Sequence, residues 1–459
     1  MDIDVSTLRT TVTGAVMQPA EPGYADEVAT FNLAYRQTPD VVVAAESAED
    51  VAVAVRWAAD HDLPVGVQAT GHNPAEPVTS GLLVSTRAMS DVRVDPATKT
   101  ARVAAGVQWR DLLDAAAEHG LAGLCGSTSD VGVVGYTLGG GLPVLGRAYG
   151  LCAEHVRSFE VVTGTGQIQT VHAGDGSELD WGLRGGKGNL GIVTALELEL
   201  FEAAELYGGP VFFKGEDAPT LLPAFAEWTD ALPESFCASL ALLRLPPLPD
   251  IPEPLRGQFV VNLRVAYLGD ETEGNRLLAP MRAAARPILD GVGIMPYSAL
   301  DQIHQDPDHP VPAREGSVLL RGLPAEAIAT LLEIAGPGTA CPLLDVELRH
   351  LGGALARPAA GAVDVSDAAY ALITIGLMAP PVAEMVPDAI ANLRAAMAPW
   401  STGRSLLNMH GEPGDAPERS APWSSEAYAR LQRAKASLDP ANLFRFGHAV
   451  EPAPAVVLS

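Results

Sequence analysis

The chain has 459 residues, 47% of them apolar and 19% charged, and its 56 acidic against 30 basic side chains leave a formal charge of −26. That length exceeds one ordinary core, so two or three domains are expected, and the apolar share is that of a globular protein with much to bury. An acidic balance of this size repels nucleic acid and anionic membranes, and no apolar run is long enough to span a bilayer, so neither is expected as a partner.

Cys125, Cys152, Cys237 and Cys341 are scattered without a Cys-x-x-Cys. This is neither a zinc framework nor a disulfide scaffold, and reduced thiols in a cytoplasm are expected. The start, "MDIDVSTLRTTVTG", lacks a basic region followed by an apolar core, which argues against a secretory signal.

In chain order, positions 41–45 read as a short strand. Ser47 then stands three residues before Asp50, a capping-box-like start for a helix with Val51, Val55 and Ala58 on one face. Positions 64–69 return as a strand, and this β-α-β unit runs straight into the turn Thr70-Gly71-His72. Positions 81–86 form another strand, and 92–95 with 100–105 a hairpin through Asp95-Pro96. Helical spacing over 108–118 stops at Gly120. A second hairpin over 159–171 turns at 163–166. In 192–201, Leu196, Leu198 and Leu200 alternate with Glu197 and Glu199, the pattern of a half-buried strand.

Residues 208–399 differ in texture. Strand-like runs at 235–245, 259–268, 343–351 and 370–378 alternate with helical segments such as 382–397, which predicts a separate sheet covered by helices on one face. The proline-rich 243–257, "LRLPPLPDIPEPLRG", reads as a loop able to edge a pocket. From Arg404 the pattern changes again. An amphipathic helix over 424–438 ends at Asp439-Pro440 and is expected to pack back on the first domain.

The densest chemical signal is "GSTSDVGVVGYTLGGGLPVLGRAYG" at 126–150. Glycines at 132, 135, 139, 140 and 141 give a backbone that can approach a ligand closely, and amides exposed at such turns suit a pyrophosphate or a flavin ring. A purely structural glycine-rich loop is the alternative. The G-x-G-x-x-G at 186–191 precedes an alternating strand rather than a helix, so it is not a dinucleotide fingerprint. The run at 139–141 lacks the Gly-Lys-Ser/Thr of a P-loop. There is no His-Glu-x-x-His and no Gly-x-Ser-x-Gly. His304 and His309 flank a loop-like "QDPD" and are expected in solvent, so no metal site is predicted. His72 alone would pass as an ordinary satisfied or exposed histidine. A β-α-β unit ending in Thr-Gly-His, with Asp130 to Gly141 following, is specific in combination.

On the stretches "SAEDVAVAVRWAADHDLPV", "TGHN", "DVGVVGYTLGGG", "WGLRGGKGNLGIVTALELEL" and "RLQRAKASLDPANLFRFGH", the sequence resembles the flavin-linked oxidoreductases of the vanillyl-alcohol oxidase/p-cresol methylhydroxylase superfamily, berberine bridge enzyme-like branch. The likeness covers most of 35–202 and the last forty or so residues, while the middle matches only in outline. It implies an α+β fold with a two-part FAD-binding domain, 1–204 and 404–459, around a central substrate domain, 205–403, of antiparallel sheet and helices. It further implies FAD bound covalently through His72 at the 8α-methyl group. In that reading Ala69, Thr70, Gly71, His72 and Asn73 hold the pyrophosphate, and Thr128, Val131, Gly132, Gly135, Tyr136, Gly139, Gly140 and Gly141 surround the ring. Ile192 and Val193 lie near the adenine, and Gly447 with His448 approach the ring from the tail. A covalent imidazole draws electron density from the flavin and opens harder hydride donors to oxidation.

Three departures from the family pattern stand out. Thr128 occupies the position of a second, cysteine anchor in some members, and Cys125 lies three residues further back, so a single link is expected. "LLNMH" puts Leu406 and Met409 where relatives carry two phenols, which leaves His410 as a substitute base. Pro143 and Val144 replace a usual glycine and tryptophan.

The reading is therefore a cytoplasmic FAD-dependent oxidoreductase of a small or medium organic substrate, often a secondary metabolite, reoxidised by O2. Tyr136 and His410 are the catalytic candidates, and His350, Tyr370 and Asn408 the substrate candidates on pocket-facing strands. A redox-neutral flavoprotein cyclase or isomerase and a non-catalytic flavin-fold binding protein are the alternatives. Oligomeric state is left open.

Overall fold

The computed structural model describes residues 3–454. Three sheets organise it. The first has four strands, Ala15–Met17, Val41–Ala44, Leu82–Ser85 and Val65–Gln68, the last three running parallel. Helix Ala48–Asp60 makes the crossover between Val41–Ala44 and Val65–Gln68, starting where the Ser47 hydroxyl accepts from Asp50 N at 3.1 Å. The buried Asp50 carboxylate also takes the backbone N–H groups of Thr13, Gly14 and Glu46, pinning the chain's first strand to the helix start.

The second sheet is antiparallel, in the order Val92–Asp95, Thr100–Ala104, Ile192–Glu199, Val156–Val162, Ile168–His172. Both hairpins expected from the sequence lie in it, the second closed by Gly166 N donating to Thr163 O at 2.8 Å. Helix Ala48–Asp60 packs between the two sheets, and its Val51, Val55 and Ala58 are fully buried in the core they share.

The third sheet holds eight strands, among them Glu205–Lys214, Phe259–Tyr267, Phe236–Arg244, Asp345–His350, Tyr370–Leu377 and Ala313–Leu320 in that spatial order. All are antiparallel. Helices Ala218–Thr229, Glu271–Ala284, Ala325–Ala335 and Val386–Met397 cover one face and bury Leu222, Phe225, Leu331 and Leu393 there. The opposite face looks toward the first two sheets.

The tail returns to the first half. Helix Ser425–Leu438 packs on helix Glu178–Leu183, and its fully buried Lys435 Nζ donates to Asn189 O at 3.1 Å, Asp439 Oδ2 at 2.9 Å and Phe444 O at 2.7 Å. Asn189 then holds the last segment, giving its amide to His448 O and taking Val450 N. A buried lysine needs such complete pairing, so this one cation fixes where 443–450 must run.

Candidate active site

Between the bare face of the third sheet and the first two sheets lies a cavity of about 950 Å³. The turn after strand Val65–Gln68 delivers its rim. Gly71 has φ +72°, and a Cβ there would come within 2.8 Å of the Thr30 backbone, so only glycine fits the turn that presents His72. The His72 ring stacks on Phe31 with centroids 3.8 Å apart, and its Nδ1 meets Thr70 Oγ1 at 2.8 Å. Its Nε2 is buried without a partner, and burial pushes the pKa down to about 4, so the imidazole is neutral near pH 7.

Ala69, Thr70, Gly71, Asn73, Thr128, Val131, Gly132, Gly135, Tyr136, Gly139, Gly141, Val193, Asn408, Gly447 and His448 also line this cavity. Asn408 is its hub. Its side-chain amide donates to Tyr136 O at 2.9 Å, its backbone carbonyl accepts from Asn73 Nδ2 at 2.8 Å, and its Oδ1 accepts from Lys187 Nζ. A Cβ on Gly139 would lie 1.9 Å from Asn408 Oδ1. Gly139→Ala is therefore expected to push Asn408 aside, costing roughly 1–3 kcal/mol of stability. A fall in melting temperature together with weaker flavin retention, read by released flavin fluorescence, checks this.

Several candidates lie elsewhere. Gly140 points at Val363 and Leu151 in a neighbouring apolar cluster. Ile192 precedes Val193 on a strand, so its side chain takes the other face and enters the core. His410 sits outside the cavity wall, its Nδ1 on Ser405 Oγ at 2.7 Å and its ring 5.7 Å from that of His448.

His350 and Tyr370 do not face the cavity. They are cross-strand neighbours on the helix-covered side, where the Tyr370 hydroxyl meets Thr229 Oγ1 and His350 Nε2 meets Arg147. Parity decides this. Along Asp345–His350 the odd positions point to the cavity side, where Asp345 and Arg349 line it, whereas Val346 and Leu348 enter the helix-covered core and His350, of the same parity, lies against Tyr370 with ring centroids 5.5 Å apart. His304, expected in solvent, is buried, because the short helix Asp301–His304 packs on the sheet and sets its Nε2 3.4 Å from Glu347 Oε1. His309 stays exposed.

Sequence reasoning missed a charged cluster on the sheet's bare face. Arg264 reaches Asp345 Oδ2 at 3.4 Å and Glu347 Oε1 at 3.0 Å, and Arg349 Nε reaches Glu347 Oε2 at 2.8 Å. Ser239 donates to Glu347 at 2.6 Å. Burial pushes Glu347 up, but the two guanidinium groups outweigh it and hold the carboxyl well below its usual range. Burial pushes Asp345 up to about 7. The signal was present as charge at every second position of 345–349, against valine and leucine between them.

The walls fit FAD. Buried polar atoms without partners, His72 Nε2, Tyr136 Oη and both ring nitrogens of His448, surround a space that a Cβ on Gly135 or Gly447 would enter freely. Residues 39–172 match the family model described as FAD binding domain, and residues 416–451 the one described as berberine and berberine like. The chain is 26% identical over 465 residues to (R)-6-hydroxynicotine oxidase of Paenarthrobacter nicotinovorans, covering 96% of this chain and 97% of that one. The structure of 6-hydroxy-D-nicotine oxidase from Arthrobacter nicotinovorans superposes with a TM-score of 0.81 at 24% identity, over 99% of this chain and 100% of the other. BBE-like 1 of Physcomitrella patens gives 0.86 at 18% identity, over 98% and 100%.

Fold, cavity and matched segments together define an FAD-linked oxidoreductase that acts on an organic substrate. No described helix is long and apolar enough to cross a membrane. These matches fit the vanillyl-alcohol oxidase/p-cresol methylhydroxylase superfamily, berberine bridge enzyme-like branch.

Proposed function

We propose that the protein oxidises a small or medium organic molecule of secondary metabolism, using an FAD linked once, through His72, with O2 as electron acceptor. The observation that carries this reading is the neutral His72 ring, oriented through Nδ1 and Phe31 with Nε2 free at the cavity rim. The bound flavin supplies the hydride acceptor. The chain's own share is to grip the cofactor between the 69–73 turn, the 128–141 loop and the 447–448 tail, and to hold substrate against the third sheet. The segments 1–204 and 404–459 act as the cofactor domain and 205–403 as the substrate domain.

A single link is supported by Cys125, which is fully buried behind the wall with its thiol pushed up by burial and its Sγ on Thr128 O at 3.5 Å. Four unpaired cysteines fit a reducing compartment such as the cytoplasm. The proline-rich loop edges the cavity through Leu245, Pro246, Leu248 and Ile251 and shields substrate from water.

Purified protein is expected to show flavin absorption bands and, with a turned-over substrate, to release peroxide in step with oxygen uptake. A redox-neutral cyclase is the second reading, favoured because Leu406 and Met409 line the wall where phenols would act as bases. Product without oxygen uptake or peroxide would select it.

A further inference from the structure

Where the proline-rich loop edges the cavity, one polar side chain stands in apolar surroundings. Asn262 lies on the bare face of strand Phe259–Tyr267, with Phe212 and Ala241 as its cross-strand neighbours. Those two residues form a buried cluster with Leu243, Leu255 and Val260, against which Leu245 and Ile251 of the loop pack. Asn262 lines the cavity and is 1% exposed, and among the described residues neither its Oδ1 nor its Nδ2 has a hydrogen-bond partner. Arg264, two residues along the same face, is tied to Asp345 and Glu347 across strand Phe236–Arg244.

A buried amide with neither its donor nor its acceptor used weakens a fold, whereas leucine fills the same space without that loss. The fold therefore gains nothing from asparagine at this position, and a ligand supplies the missing partners. The side chain also defines what that ligand presents. It offers one acceptor and one donor side by side, so its complement carries an N–H and a C=O side by side. A carboxylate only accepts and would set oxygen against Oδ1. An ammonium only donates and would leave Nδ2 unpaired. Neither ion finds a counter-charge in the Phe212, Leu243 and Leu255 surroundings.

We infer that this end of the cavity is a distal substrate subsite that takes a neutral carboxamide-type group, paired to Asn262 through two hydrogen bonds, with the adjoining carbon skeleton packed on Phe212 and Leu243. This rests on reading the cavity as the substrate site and deepens that reading.

The test is calorimetric titration of the FAD-loaded protein with three probes of one shape, benzamide, acetophenone and benzoate. Acetophenone keeps the acceptor and carries a methyl group in place of the N–H donors, while benzoate is charged and only accepts. Benzamide is expected to bind at least about tenfold tighter than either. In Asn262→Leu, the preference over acetophenone should fall to about twofold or less, and the melting temperature should hold or rise because an unsatisfied amide has been removed. Acetophenone or benzoate binding as tightly as benzamide to the parent overturns the assignment, as does a preference that survives in the variant. A variant that melts lower also overturns it, since the amide would then be serving the fold. So does failure of all three probes to bind. A protein that stays colourless after FAD supplementation fails the cofactor reading instead. The same titration then still decides the subsite, because Asn262 stands on the sheet and not on the cofactor loops.

Discussion

Acid precipitation of the His72→Ala variant is expected to leave a white pellet and a yellow supernatant, whereas the parent protein should keep nearly all its colour in the pellet. The imidazole is built for one bond. Thr70 Oγ1 engages Nδ1 at 2.8 Å and Phe31 stacks at 12° to the ring plane, which leaves Nε2 as the nitrogen free to react. Burial lowers its pKa to about 4, with Asp306 opposing, so the ring is neutral across the physiological range, and the tautomer in which Nδ1 donates to Thr70 Oγ1 leaves the lone pair on Nε2. Removing the ring takes away the link but not the berth, because Gly135, Gly447 and the Asn73–Asn408 tie remain. The variant should therefore still bind FAD reversibly, and its flavin, lacking the electron-withdrawing substituent, should oxidise difficult donors more slowly. Thr70→Ala keeps the nucleophile and loses its aim, so the linked fraction should drop without vanishing. Colour that stays with precipitated His72→Ala protein would overturn the assignment.

The cofactor side of the cavity was readable because its residues are contiguous in sequence. Three short stretches, 69–73, 128–141 and 447–448, supply most of that wall, and glycine at 71 and 139 is forced by the Thr30 backbone and by Asn408. Such close approaches leave a visible mark on a sequence. The substrate wall leaves a weaker one. Asn262, Arg264, Asp345, Glu347 and Glu315 come from three strands that are distant in sequence, and each looks locally like the polar side of a half-buried strand. Alternation reveals that a strand has two faces but not which face meets solvent. Only the arrangement of the sheet, with helices on one side and the cofactor half on the other, turns Glu347 into a residue 1% exposed. The same ambiguity misplaced His350 and Tyr370, and the short helix that carries His304 inward had no periodic signal long enough to read.

Arg264→Ala is expected to cost roughly 3–5 kcal/mol of folding stability, because it strips the shared counter-ion from two buried carboxyls. Arg264 is 4% exposed, at the edge of the cavity. The pH dependence has a defined sign. Burial raises Asp345 to about 7 in the folded protein, above its unfolded value, so the stability linked to that group is full in acid and is lost as pH rises through about 7. Glu347 is opposite: although burial pushes it up, Arg349 and Arg264 hold it depressed, so its contribution is present above the unfolded carboxylate range and is lost as pH falls. Without Arg264 both carboxyls move upward, Glu347 keeping only Arg349 as a counter-ion and Asp345 none, and protonation relieves them. The gap between Arg264→Ala and the parent should therefore be widest near pH 8 and should narrow toward about pH 5, in urea unfolding followed by tryptophan fluorescence. Arg264→Met combined with Glu347→Gln removes charges of both signs and should recover much of the loss. A gap that did not vary with pH, or a double variant no better than the single, would mean that the guanidinium serves packing rather than charge.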